Sequence, residues 1–571
     1  MAYDILIRGG TVVDGSGLPG YRADVGIENG TIVAIGSLKG QAAKETIDAD
    51  GHVVAPGFVD GHTHMDAQIF WDPLGTSSCW HGVTSVVMGN CGFSLAPCAE
   101  KDKGLVFSNL EMAEDISRSA MEAGVPWSWE TFPELLDTVD KLPKGLNYAH
   151  YVGHSALRTY VMGQRAMTDK ASPDEVARMR KHLEAGMRAG AVGLSTTRSH
   201  NHRTMAGLPV ASRLADWSEI EGLVGLLGEL GSGIFEISRT INDSEPDKMK
   251  AEFSQLLKLA KESGVPVTFG SAWWKRQYPN IWRQQFAMVD EAIAEGAKVL
   301  IQGTAAWNVS LRSFETLMPF DRAPVWVDFR KLPLAEQEKG FRDPEMRKKL
   351  VEVAKSYQRP TNPALPNALL RDIDWDWIFP VDKPLPPYKS LDELAKERKQ
   401  HPVETMIDMA LEKHLKMFFL APNFNESEDY VLAMMRHPRT AVTFTDSGAH
   451  VASVINSVQT HLLGYWVRQK QAMTMEAAIR KISFDIAAFW GLRKRGLLRE
   501  GYHADAVVFD PGTVGPIMPE LVRDLPTGSD RLIQKSQGIK NTIVNGQVLM
   551  RGNDHTGALP GQLMRGALAL N

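Results

Sequence analysis

Three times in the middle of this 571-residue chain an amphipathic helical stretch runs into a glycine and then into a short apolar run, a repeat that limits the fold strongly. Residues 175–188 set Val176, Met179, Leu183 and Met187 at helical spacing before Gly190 and the run 191–196. Phe253, Leu256, Leu257 and Leu259 precede Gly264 and 265–269, and Phe286, Val289 and Ile293 precede Gly296 and 298–301. Apolar residues three and four apart share one helical face, whereas short unbroken apolar runs read as strands buried on both sides. Strand and helix alternating in this way predict an α/β fold, a TIM-like (β/α)8 barrel with its chemistry at the carboxyl ends of the strands.

The ends of the chain read differently. Short alternating strands are expected at 3–8, 24–28, 31–35 and 52–55, joined at Gly9-Gly10, Gly15-Ser16-Gly17 and Asn29-Gly30. The same pattern returns at 504–510 and 539–549. These segments predict a small β-sandwich built from both termini, 1–56 and 491–571, around a barrel over 57–490. From 311 to 401 the chain is rich in proline, tryptophan and charge, including Trp326, Trp375 and Trp377, which reads as an inserted lid or as a packed surface excursion.

A net charge of −5 without a long Lys/Arg run argues against a nucleic-acid partner. No apolar stretch approaches the roughly 20 residues that span a bilayer. The first residues lack a basic head and apolar core of an export signal, so a cytoplasmic location is expected, with Cys79, Cys91 and Cys98 reduced.

His62-Thr63-His64 closes the apolar run 53–61. Strand residues two apart point the same way, so both imidazoles reach one divalent cation. Such pairs are also common on solvated loops, but this one ends a buried run and is followed by Asp66 and, at the end of 84–91, by Cys91. A metal-binding hydrolase is the reading that follows. Cys91 is either an inert buried thiol or a thiolate ligand, with Gly89 and Gly92 letting the backbone approach. Cys79 and Cys98 are expected to pack.

The segment Ile7-Arg8-Gly9-Gly10-Thr11-Val12-Val13-Asp14-Gly15 and the segment 56–64 resemble amidohydrolase-superfamily enzymes, as does the closing 496–511. Within that superfamily Gly89-Asn90-Cys91-Gly92, Val152-Gly153-His154-Ser155-Ala156-Leu157-Arg158 and Gly193-Leu194-Ser195-Thr196 resemble the N-acyl-D-amino-acid deacylases. The resemblance implies a zinc-bearing barrel in which His62, His64 and Cys91 match metal ligands and Asp446 matches the catalytic aspartate, also a ligand. Two further histidines of the deacylases fall here on Ser238 and Ser271, so one zinc is favoured over two; Glu236, two residues before Ser238, is the substitute donor or else a structural ion-pair partner.

In this reading zinc lowers the pKa of bound water toward about 7, and Asp446 takes the proton and passes it to the departing nitrogen. His154, His202 and His450 are candidates for stabilising the oxyanion or holding a substrate carboxylate; otherwise His154 bonds in the interior, His450 caps a helix near Val451 and His202 lies on a solvated loop. Arg198 is a candidate carboxylate clamp or a surface arginine. The resemblance implies a small linear amide substrate, an N-acyl amino acid or relative, and Trp273, Trp274 and Trp307 suggest a bulky apolar group. Two alternatives stay open. One is a hydrolase of a cyclic amide, carbamate or deaminable base, though strand four offers no lysine to bridge two metals; the other is a metal-poor binding scaffold. A homodimer is the default expectation.

Overall fold

The computed structural model describes residues 2–239, 246–270, 274, 276, 278–357, 373–451 and 457–570. The two ends of the chain share one nine-stranded sheet, ordered Asp554–His555, Gln547–Arg551, Ile539–Val544, Ala506–Phe509, Val53–Pro56, Tyr3–Val12, Tyr21–Glu28 and Thr31–Gly36, with Ala43–Asp48 also on Tyr3–Val12. Val53–Pro56 lies antiparallel to Ala506–Phe509, with Pro56 opposite Ala506. Their apolar runs are continuous because both faces are covered: Val54, Ala506 and Val508 pack with Ile5, Ile7 and Val25, while Val53, Ala55, Val507 and Phe509 pack into the central core.

The central strands pair in parallel. Phe58–Asp60, Val83–Met88 and Asn147–His150 follow one another, and Val152–Gly153, Gly193–Thr197, Ile234–Ser238, Val267–Gly270, Val299–Gly303 and Thr440–Val442 form a six-stranded set. Asn147–His150 continues through Tyr151 into the second set, and Thr440–Val442 continues through Thr443 into Phe444–Ser447, which pairs with His62–Thr63. Last and first strands are therefore neighbours, and residues far apart in sequence meet at one end of the set.

Local chemistry fixes the helices between them. The helix Pro173–Ala189 starts on a capping box, Ser172 accepting from the Glu175 N–H and Glu175 from the Ser172 N–H, and stops at Gly190 with φ 117°. It buries Met179, Leu183 and Met187, as its spacing predicts. The strands expected at 191–196, 265–269 and 298–301 are found at Gly193–Thr197, Val267–Gly270 and Val299–Gly303.

The excursion expected at 311–401 has a core of its own. Trp326, Phe329, Phe341, Leu350, Met406 and Phe419 bury one another, and the Trp326 indole N–H donates to the Leu350 carbonyl at 2.9 Å. It opens on the strand Asn308–Arg312, which pairs with Phe419–Phe424, so its structural limits lie outside the expected ones. No described helix is long and apolar enough to cross a membrane.

A buried polar network joins the terminal sheet to the central strands. Arg495 pairs with Asp505, both side chains 4% exposed, and Asp505 accepts from the Asn545 N–H at 2.8 Å. The Asn545 amide in turn donates to the Asn147 side chain at 2.7 Å. Removing one member of a buried pair strands the other, at about 3–5 kcal/mol. Arg495→Ala is thus expected to lower the thermal unfolding midpoint by several degrees in a melt followed by circular dichroism; an unchanged midpoint would show the pair to be dispensable.

Candidate metal centre

His62 and His64 leave the strand His62–Thr63 with side chains 1% and 2% exposed and ring centroids 5.3 Å apart. His62 Nδ1 is 2.5 Å from Gln302 Oε1 at the end of Val299–Gly303. A carboxamide oxygen only accepts, so Nδ1 carries a proton and Nε2 is the atom left to face the group: it donates to Asp446 when His62 is charged and offers a lone pair to a cation when His62 is neutral. Nε2 lies 3.2 Å from Asp446 Oδ1 and 3.5 Å from Cys91 Sγ. His64 Nε2 lies 3.6 Å from the same Asp446 oxygen and 3.5 Å from Glu114 Oε2.

Unusual backbone brings these groups in. Cys91 sits at φ 56° between Gly89 at φ 81° and Gly92 at φ 80°, a left-handed conformation that costs most residues about 1–2 kcal/mol. The turn aims the Cys91 N–H at Glu236 Oε2, 2.7 Å away, and the Gly92 N–H at Ser195 Oγ, 3.0 Å away. Asp446 and His450 are also left-handed, at φ 55° and 51°. Between them Gly448 is forced: at φ 99° a Cβ there would meet the His64 carbonyl oxygen at 2.5 Å. Asp60 anchors the first strand against the last, accepting from Thr445 Oγ1 at 2.5 Å and from the His62 N–H at 3.2 Å.

Burial sets the electrostatics. It pushes Glu236 up to about 7 and Glu114 well above the carboxylate range, the latter helped by Asp446, Asp66 and Glu236. The Cys91 thiol rises for the same reasons. Burial also opposes ionisation of Asp446, but hydrogen bonds from His62 and His64 outweigh it and hold that carboxyl well below its usual range. His64 falls to about 4 through burial. For His62, burial is outweighed by Asp446, Glu236 and Gln302, leaving its pKa raised.

His62, His64 and Cys91 each offer a donor atom within 4.8 Å of the others. Two imidazoles, a thiol and a carboxylate, buried and turned toward one another with lone pairs, fit a divalent cation, and the nitrogen and sulfur donors suit zinc.

The other expected site residues divide. Ser238 stands beside the Cys91 thiol and works against the rise that burial imposes on it. His202 and His450 stand near His64, and burial, then His64 and His450, pull His202 down to about 3. For His154 the structure shows the interior hydrogen bonding that is its alternative reading: Thr196 Oγ1 lies 2.8 Å from Nδ1 and Glu219 Oε1 2.8 Å from Nε2, with Arg158 pairing the same glutamate. Arg198 donates to the Ala215 carbonyl at 3.0 Å and lies over Trp217, lining a cleft with Arg239 and Phe253 that contains none of the residues of the imidazole-thiol group. Ser271 and Trp273 lie outside the described residues.

Gln302 and Glu114 were not anticipated. Gln302 had a readable signal, a polar residue closing an apolar run at a strand's carboxyl end, whereas Glu114 follows a helix and carries none. Beside the group a cleft is lined by Trp307, Tyr388, Phe444, Thr445, His461 and Trp466, among others. The Phe444 ring lies 4.3 Å from that of His62, and Tyr388 comes from the excursion, which thus walls a cleft of its own chain.

The family model described as "Amidohydrolase family" matches residues 45–550. A D-aminoacylase of Alcaligenes xylosoxydans xylosoxydans is 29% identical over 98% of this chain and 97% of its own length. An N-acyl-D-aspartate deacylase of the same organism is 28% identical over 98% and 95%. The solved structure of N-acyl-D-glutamate deacylase from Bordetella bronchiseptica, complexed with zinc and a phosphonate mimic of the tetrahedral intermediate, shares the fold at TM-score 0.65 and 23% identity, covering 99% of this chain and 100% of that one.

Outer partners that fix the tautomer of a ligating histidine typically contribute 10–100-fold to metal affinity. Gln302→Leu is therefore expected to weaken zinc binding by about tenfold or more in equilibrium dialysis, with the circular dichroism spectrum unchanged; undiminished affinity would refute the orienting role.

Proposed function

The chain belongs to the amidohydrolase family, and on that premise we propose that it hydrolyses the linear amide bond of an N-acylated D-amino acid with a bulky apolar group. The observation that carries this reading is the convergence of His62 Nε2, Asp446 Oδ1 and Cys91 Sγ beside a cleft lined by aromatic rings. The D-aminoacylase and N-acyl-D-aspartate deacylase likenesses support the substrate class. The parallel pairings that return to the first strand are read as one (β/α)8 barrel over 57–490, with the shared terminal sheet belonging to a β-sandwich of 1–56 and 491–571.

His62, His64, Asp446 and Cys91 would hold one zinc ion. Bound there, zinc supplies Lewis acidity and lowers the pKa of water toward about 7. The chain's own groups do the rest. Asp446, whose carboxyl the neighbouring His62 and His64 hold well below its usual range, accepts a proton from the attacking water as the new C–O bond forms. It returns that proton to the amide nitrogen as the C–N bond breaks, giving a carboxylic acid and an amine. Gln302 and Asp60 keep the imidazole and the last strand in place. His450 and His202, near His64, are the side chains best placed to meet the substrate carboxylate or the developing oxyanion.

The lining of the cleft supports the apolar preference. Its described residues include no Lys, Arg, Asp or Glu, and several rings face inward.

Asp446→Asn keeps the shape of the side chain and removes its basicity. Loss of a general base costs about 10²–10⁴-fold, so kcat on N-acetyl-D-amino acids carrying apolar side chains should fall by at least that factor. Full turnover by this variant, or none by the unmodified zinc-loaded protein across D- and L-acyl amino acids, would overturn the reading.

A further inference from the structure

We propose that Glu236 is itself a ligand of the cation that Cys91 and His62 face, supplying an oxygen donor from the strand Ile234–Ser238. The inference rests on the metal-dependent reading above. It begins from one atom. Glu236 is 0% exposed, and while its Oε2 accepts the Cys91 N–H at 2.7 Å, its Oε1 has no hydrogen-bond partner among the described residues. A buried carboxylate oxygen left unsatisfied is costly, and carboxylates persist in protein interiors when paired or bound to metal.

Of the charged groups that act on Glu236, His62 favours its ionisation and Asp446 opposes it. Cys91, Glu114 and Asp446 bring further negative potential into the same space. Glu236 faces this space because its strand neighbours are in register with it: Ser195, directly opposite, accepts the Gly92 N–H, and Ser238, two residues on, meets the Cys91 thiol. The hydrogen bond to Cys91 holds the thiol and the carboxylate to the same turn, as expected of two ligands of one ion.

A structural role predicts something different. If Glu236 served only to accept the Cys91 N–H, glutamine would accept it equally well through its carbonyl oxygen. The test is therefore Glu236→Gln in the full chain, titrated with Zn²⁺ after chelator treatment, with affinity and bound zinc per chain measured by equilibrium dialysis and elemental analysis. The expected result is an affinity at least tenfold weaker than in the unmodified protein, and a smaller rise in the thermal midpoint on adding zinc. In the metal-free state the variant is expected to melt at the same temperature or higher, since a buried charge has been removed, which separates ligand loss from misfolding. Equal zinc affinity and stoichiometry in the two proteins would overturn the assignment of Glu236 and leave the hydrolase reading standing. Absence of zinc binding by the unmodified protein would overturn both. Should Glu236→Gln fail to fold, Glu236→Asp decides: it keeps the charge but shortens the reach, so weakened zinc binding supports the assignment and unaltered binding refutes it.

Discussion

The structure turns on an electrostatic conflict. An imidazole nitrogen stands 3.2 Å from a carboxylate oxygen and 3.5 Å from a thiol sulfur in a buried space, with two more carboxyl groups close by. In bulk water such an assembly would scatter; in a low-dielectric interior each like-charge approach is worth several kilocalories per mole. Protonation offers one way out, which is why Glu114, Glu236 and Cys91 are pushed upward. A divalent cation offers a better one, since it satisfies all the donors together and leaves the acids ionised for use.

Holding the conflict in place takes most of the fold. The first strand enters directly from the terminal sheet: Val53–Pro56 pairs with Ala506–Phe509, and after Gly57 the chain runs on through Phe58–Asp60 to His62. The last strand is tied to the first by Thr445 on Asp60. Left-handed residues at Cys91, Asp446 and His450 then turn their side chains or backbone toward the group. Strain at those positions is tolerated because the neighbouring strands over-determine the geometry, and the Arg495–Asp505–Asn545–Asn147 network fixes the terminal sheet against them.

What the sequence reveals follows from how far apart the partners are. The alternation of helix and strand is local and was readable to within two or three residues, as was the pairing of His62 with His64 through period two. Asp446 emerged only from resemblance, because nothing local marks an aspartate after a short apolar run as the partner of histidines far upstream. Gln302 is marked locally as a polar residue closing a strand, but its partnership with His62 is hidden for the same reason: the two are 240 positions apart, and only the return of the last strands beside the first brings them together. His154 shows the two readings side by side. Its motif drew attention, yet its burial reflects a network with Thr196, Glu219 and Arg158. The excursion reads as a loop because its short helices carry no long period, although Trp326 and its neighbours give it a core.

That excursion also bears on selectivity under the proposed function. Relatives of this chain include deacylases named for N-acyl-D-aspartate and N-acyl-D-glutamate, whose substrates carry a second carboxylate. A side-chain carboxylate entering the cleft beside Phe444 would meet Trp307, Tyr388 and Trp466, with no Lys or Arg among the described lining residues to pair with it. His461 offers no help, since burial lowers it to about 4 and leaves it neutral near pH 7. Desolvating an unpaired carboxylate costs several kilocalories per mole, whereas an apolar side chain of similar size gains about 1.5–3 kcal/mol on burial. A difference of that size is a discrimination of several hundredfold or more, so the rings contributed by the excursion and the last strands, acting through what they cannot pair, set the polarity of what reaches Asp446.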